Sequence, residues 1–175
     1  MNLPNLITGF RIVASFVFLF YGIQSRWDVA FPLFCVAAFS DLVDGAIARL
    51  FHQRTQLGAF LDPAADKLLM LFGFMTLTFG GYLPVTLTLL VIARDVMISV
   101  GVIYLKCKKV PFVSRPTYLS KITTLFQILT VFSALLTIEG TVERPPVLWI
   151  ATGLLTAVTT LQYIRMGLRI IHAKH

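Results

Sequence analysis

Asp41, Asp44, Asp62 and Asp66 fall within 26 residues of a chain that has only eight Asp and Glu in all. Their neighbours are largely apolar, and a carboxylate in a hydrophobic segment is costly enough to be functional by default. Spacings of three and four put Asp41 with Asp44 on one helical face, and Asp62 with Asp66 on another. Two carboxylates about 5 Å apart repel by roughly 3 kcal/mol even at an effective dielectric of 20. Some must therefore be protonated or paired with arginine, or all must share divalent cations. Oxygen donors without His or Cys select Mg²⁺, Mn²⁺ or Ca²⁺ over zinc. Gly45, Ala48 and Gly58 leave one side of these segments bare, open either to a bulky ligand or to a closely packed helix. Arg49, about one helical turn beyond Asp44, can hold a carboxylate or a phosphate. Cations bridging a diphosphate, with a spare carboxylate to take a proton, are what a phosphoryl-group displacement needs.

The elements that must position these residues are long and apolar. The chain has 175 residues, 13% of them charged, and a mean hydropathy of +0.84, far from a soluble composition. Apolar stretches run over approximately 6–24, 29–51, 59–79, 83–105, 119–138 and 146–168, each near the roughly 20 residues of a spanning helix. Gly, Pro or charged clusters separate them, and none alternates as a barrel strand does. The expectation is an all-α, six-helix transmembrane bundle forming a single domain over residues 1–175, led in by a short N-terminal interfacial segment. Arg11 interrupts the first stretch and no small-residue cleavage site follows, so it is not read as a signal peptide.

The net charge of +7 is concentrated after the second stretch (Arg49, His52, Arg54), around the fourth connection (Lys106, Lys108, Lys109, Arg115, Lys121) and at the C-terminal end (Arg165, Arg169, Lys174). The positive-inside rule then makes both termini cytoplasmic. These clusters suit anionic lipid, and nothing suggests nucleic acid. Asp41 lies nine residues before Leu50, about 14 Å at helical rise, so both acidic pairs sit nearer the cytoplasmic face than the midplane. Cys35 and Cys107 have neither disulfide nor metal-ligand spacing.

The pattern Asp-x2-Asp-Gly-x2-Ala-Arg-x8-Gly-x3-Asp-x3-Asp, from Asp41 to Asp66, resembles the signature of the CDP-alcohol phosphatidyltransferase family at every defined position. That resemblance implies transfer of a phosphatidyl group from a CDP-linked lipid to an alcohol, with CMP leaving. It implies that Asp41, Asp44, Asp62 and Asp66 hold two Mg²⁺ or Mn²⁺ ions, and that Asp66 is the general base. Gly45, Ala48, Arg49 and Gly58 would shape the pocket for the CDP-lipid, CDP-diacylglycerol. A homodimer is implied too.

The opening Asn2-Leu3-Pro4-Asn5-Leu6-Ile7-Thr8-Gly9-Phe10-Arg11 looks like the start of phosphatidylglycerophosphate synthases and the related cardiolipin synthases. Their acceptors, glycerol 3-phosphate and phosphatidylglycerol, are anionic, which makes Arg94, Lys121, Arg115 and Arg11 the candidate acceptor-binding residues. Phosphatidylglycerophosphate synthases usually have Gly-Lys where this chain has Ser120-Lys121, and often Arg-Glu in place of Arg94-Asp95. The run from Arg115 to Thr124 is closer to the cardiolipin synthase branch. Compactness and the lack of a basic presequence lead us to expect a bacterial inner-membrane enzyme, with glycerol 3-phosphate as acceptor and its active site at the cytoplasmic face. A divalent-cation transporter is the alternative of another class, but such sites lie near the midplane between repeats, and these acids are off-centre. The phospholipase-D-like route needs His-x-Lys with a later Asp; His172-Ala173-Lys174 has none after it.

Overall fold

A computed structural model describes the backbone of residues 3–51, 58–108, 117–140 and 146–172, and the side chains of 6–40, 64–105, 107–108, 117–140 and 146–169. Six helices account for it: α1 (Leu3–Ile23), α2 (Trp27–Phe51), α3 (Gly58–Phe79), α4 (Val85–Cys107), α5 (Tyr118–Ile138) and α6 (Pro146–His172). Each expected apolar stretch is one helix, with ends shifted by a few residues. The expected interfacial lead-in is the first turn of α1 itself, because the helix runs unbroken from Leu3. Among the residues whose side chains are described, windows in α1, α4, α5 and α6 are long and apolar enough to cross a membrane, and Trp27–Ser40 of α2 is an apolar helical segment. The chain is an integral membrane protein, and its helices group into two compact units, Met1–Leu83 and Pro84–His175.

In the first unit α1 packs along both α2 and α3. Its buried face repeats at helical spacing: Thr8, Arg11, Ala14, Ser15 and Phe18. The face is polar over its first two turns and apolar afterwards. Phe18 meets Phe34 of α2 with ring centroids 5.5 Å apart, and Phe16 meets Phe72 of α3 edge-on at 5.1 Å. Helix ends are closed by left-handed residues that turn the last carbonyls onto following amides. At the end of α1, Arg26 N–H donates to the Tyr21 carbonyl (2.9 Å) and Ser25 N–H to that of Gly22 (3.0 Å), with Ser25 at φ 58°. Gly81 does the same after α3 at φ 75°. Arg26 then forks onto Asp28 at 3.1 and 3.0 Å, and that hydrogen bond holds the Asp28 carboxyl below the usual carboxylate range. The pair is exposed, so its small stabilisation is present above the unfolded carboxylate value and fades as pH falls through the depressed one.

Gly22 fixes how closely α1 and α3 approach: a Cβ there would overlap Thr76 Cγ2. Membrane helices use small residues to let backbones come this near. Gly22→Leu is expected to destabilise the first unit by about 1–3 kcal/mol, the usual cost of overpacking. The check is a lowered unfolding midpoint in detergent; an unchanged midpoint would mean that α1 and α3 separate without cost.

In the second unit α6 packs against both α4 and α5. Along α5 and α6 a seam of buried hydroxyls runs antiparallel. Thr123 meets Thr159 at 2.6 Å, Gln127 Nε2 donates to Thr156 at 3.4 Å, and Thr130 meets Thr152 at 2.8 Å. All six side chains are buried. Thr117 caps α5, its hydroxyl oxygen accepting from Ser120 N–H at 3.2 Å.

Candidate functional site

The two carboxylate pairs lie on neighbouring helices. Asp41 and Asp44 belong to α2, with Gly45, Ala48 and Arg49 in the turns that follow, and Gly58, Asp62 and Asp66 belong to α3. Helix formation over both segments gives the one-face spacing of each pair, and α2 and α3 are in contact. The side chains of Asp41, Asp44, Gly45, Ala48, Arg49, Gly58 and Asp62 lie outside the described residues; among the four acids, Asp66 is the one whose surroundings are on view.

Asp66 is bonded from a third helix. Arg11 of α1 donates through Nη1 to Asp66 Oδ1 at 2.6 Å, from a side chain only 1% exposed onto one 46% exposed. Charge-assisted bonds of this length are about twice as strong as neutral ones. One of the four acids is thus held in place from α1, and carboxylate oxygen is a donor that suits a divalent cation. Arg11, expected beside the acceptor, lies on the buried face of α1 and bonds Asp66 of α3. Sequence reasoning missed that Thr8, Arg11 and Ser15 form one polar face, although their spacing of three and four in an apolar helix carried the signal.

The other basic candidates belong to the second unit. Arg94, midway along α4 and 6% exposed, donates through Nη1 to Asp95 Oδ1 (2.6 Å) and through Nη2 to Ser120 Oγ (2.7 Å) in the first turn of α5. Its Nε is buried without a hydrogen-bond partner. Lys121 follows Ser120 and is exposed. An arginine, a lysine and the positive end of a helix are together suited to an anion such as a phosphate. The bond from Arg94 to Ser120 was not foreseen, because the two residues are 26 apart and on different helices. Arg115 lies outside the described residues.

Residues 1–164 match the family described as CDP-alcohol phosphatidyltransferase. Among similar proteins is human (Homo sapiens) cardiolipin synthase (CMP-forming), 30% identical over 185 aligned residues that cover 95% of this chain and 62% of that protein. Another is the CDP-diacylglycerol–glycerol-3-phosphate 3-phosphatidyltransferase of Aquifex aeolicus, 33% identical over 135 residues, 76% of this chain and 75% of that protein. The Escherichia coli K12 protein of the same name is 38% identical over 104 residues, 56% of this chain and 57% of its own length. The chain thus spans less than two thirds of the human relative that it matches almost from end to end.

Proposed function

Because the chain belongs to the CDP-alcohol phosphatidyltransferase family, we propose that it transfers a phosphatidyl group from CDP-diacylglycerol to glycerol 3-phosphate, releasing CMP at the cytoplasmic face of a bacterial inner membrane. The observation that carries this reading is Asp66, a half-exposed carboxylate of the family signature held by the buried Arg11. Asp41, Asp44, Asp62 and Asp66 would hold two Mg²⁺ or Mn²⁺ ions. When bound, these ions neutralise the donor diphosphate and the departing CMP. Asp66 takes the proton of the acceptor hydroxyl. That oxygen bonds to the phosphorus carrying the diacylglycerol, and the bond from this phosphorus to the CMP phosphate oxygen breaks. Gly45, Ala48 and Gly58 leave room for the nucleotide, and Arg49 offers its phosphates a cation. The working unit in this proposal is a homodimer, with both termini of each copy cytoplasmic.

Arg94 and Lys121 would receive the phosphate of the acceptor. Lys121→Ala is expected to raise the acceptor KM by about 10–100-fold, the weight of a charge-assisted hydrogen bond, with the donor KM nearly unchanged. Equal effects on both constants would place Lys121 on the donor. A second reading, transfer to phosphatidylglycerol to form cardiolipin, is favoured by one observation. Ser120, where glycine is expected for the glycerol 3-phosphate enzymes, accepts a bond from Arg94 Nη2 and so engages part of a guanidinium that already bonds Asp95 through Nη1. A guanidinium engaged in this way is less suited to the bidentate clasp that a dianionic monoester rewards than one facing glycine would be.

The test is CMP release from CDP-diacylglycerol by the detergent-purified protein, with glycerol 3-phosphate, phosphatidylglycerol and myo-inositol phosphate offered in parallel under Mg²⁺, Mn²⁺ or EDTA. Metal-dependent release with glycerol 3-phosphate is the expected result, and release with phosphatidylglycerol alone moves the assignment to the second reading. Folded protein that neither binds the donor nor releases CMP would overturn both.

A further inference from the structure

We propose that Arg11 is a positioning residue for Asp66: from α1 it fixes the orientation of the carboxylate that holds a cation and takes the acceptor's proton. The inference rests on the role given to Asp66 above. Arg11 is 1% exposed, and its Nη1 reaches Asp66 Oδ1 at 2.6 Å across 55 residues of sequence. A buried guanidinium is expensive unless it is paired with good geometry. Among its partners is a signature aspartate whose side chain stays 46% accessible. The arginine therefore grips one carboxylate oxygen from the protein side while the carboxylate still meets its surroundings.

The next turn of α1 is fixed by Ser15, whose hydroxyl donates to the Arg11 carbonyl at 2.7 Å and which is fully buried. Phe16 against Phe72 then ties α1 to the helix that carries Asp66. Arginine suits this task better than lysine, because a planar, always-charged fork fixes a carboxylate in direction as well as in place. Groups that hold a metal-binding carboxylate from outside set its geometry, and losing one typically costs about 10–100-fold in metal affinity or activity.

This role makes a different prediction from acceptor binding, the role the sequence suggests for Arg11. Acceptor binding would appear in the acceptor KM. Positioning of Asp66 would appear in kcat and in cation affinity, with the acceptor KM left alone.

The experiment compares Arg11→Gln, Arg11→Lys, Asp66→Asn and the double variant Arg11→Gln/Asp66→Asn in the full chain in detergent. It reads kcat, both KM values and, on metal-stripped protein, Mn²⁺ binding by paramagnetic resonance. Arg11→Gln should lose about 10–100-fold in both kcat and Mn²⁺ affinity, with Arg11→Lys recovering part of each. Once Asp66 is Asn, adding Arg11→Gln should weaken Mn²⁺ binding no further, since the carboxylate it served is gone.

Unchanged or tighter Mn²⁺ binding in Arg11→Gln, a selective rise in acceptor KM, or an undiminished effect in the double variant would each overturn the proposal. If Arg11→Gln does not fold, Arg11→Lys decides: reduced kcat and Mn²⁺ affinity at normal acceptor KM support the role, and wild-type values overturn it. Asp66→Asn separates the two levels. Near-normal turnover there removes Asp66 from the reaction and Arg11 with it, whereas a collapse there beside a normal Arg11→Gln sinks this inference alone.

Discussion

Asp66→Asn is expected to leave CDP-diacylglycerol bound while CMP release falls by about 10²–10⁴-fold, the range associated with losing a general base. The amide has nearly the shape of the carboxylate and keeps an oxygen that Arg11 Nη1, now 2.6 Å from Oδ1, can still reach. What it lacks is the ability to take a proton. With Mn²⁺ raised to saturate the variant, binding and chemistry should therefore come apart: donor titration close to wild type, single-turnover CMP release collapsed at saturating acceptor. A rate within a few-fold of wild type would put the base elsewhere. A loss of donor binding together with turnover would mean that Asp66 serves mainly as a ligand.

Asp44→Ala and Asp41→Ala are expected to fail earlier, at binding. Both residues sit on α2 at a spacing that gives them one helical face. Removing either takes away a direct oxygen donor, so the loss in Mn²⁺ affinity should at least match the roughly 10–100-fold seen for groups one layer further out. Turnover should disappear, and metal-dependent retention of CDP-diacylglycerol should drop to its level in EDTA. Normal Mn²⁺ affinity in both variants would remove the metal assignment. The pattern that supports the proposal is Asp41 and Asp44 variants failing to bind and the Asp66→Asn variant failing to react.

The helices were legible in the sequence because the bilayer is a demanding solvent: a segment that must satisfy its own backbone and face lipid has little choice but an apolar helix. Hence the stretches 119–138 and 146–168 are met by Tyr118–Ile138 and Pro146–His172. The acids on α2 and α3 were legible for the opposite reason, since charge in such a helix is conspicuous. Pairings across helices were not. Arg11 could be seen as an oddity in an apolar run, but that it meets Asp66 depends on how α1 lies against α3, which Gly22 and the Phe16–Phe72 contact decide. Ser120 read as a departure from a glycine; only the way α4 and α5 both lie against α6 makes it a hydrogen-bond acceptor for Arg94. The threonines of α5 and α6 gave no signal at all, because a threonine facing lipid and one facing a neighbouring threonine look alike in sequence.

Those threonines bear on how the protein is made. Thr123, Thr130, Thr156 and Thr159 each reach the carbonyl four residues earlier in their own helix, at 2.6–2.9 Å. A newly inserted α5 or α6 can thus satisfy these hydroxyls within itself and enter lipid at little cost before its partner arrives. Gln127 differs, since its amide nitrogen donates to Thr156 on the opposite helix. Assembly of the pair is then a second step, in which hydroxyls still bonded within their own helices meet across the seam and one glutamine adds a bond to the opposite helix. The seam separates the cost of entering the membrane from the choice of neighbour once there.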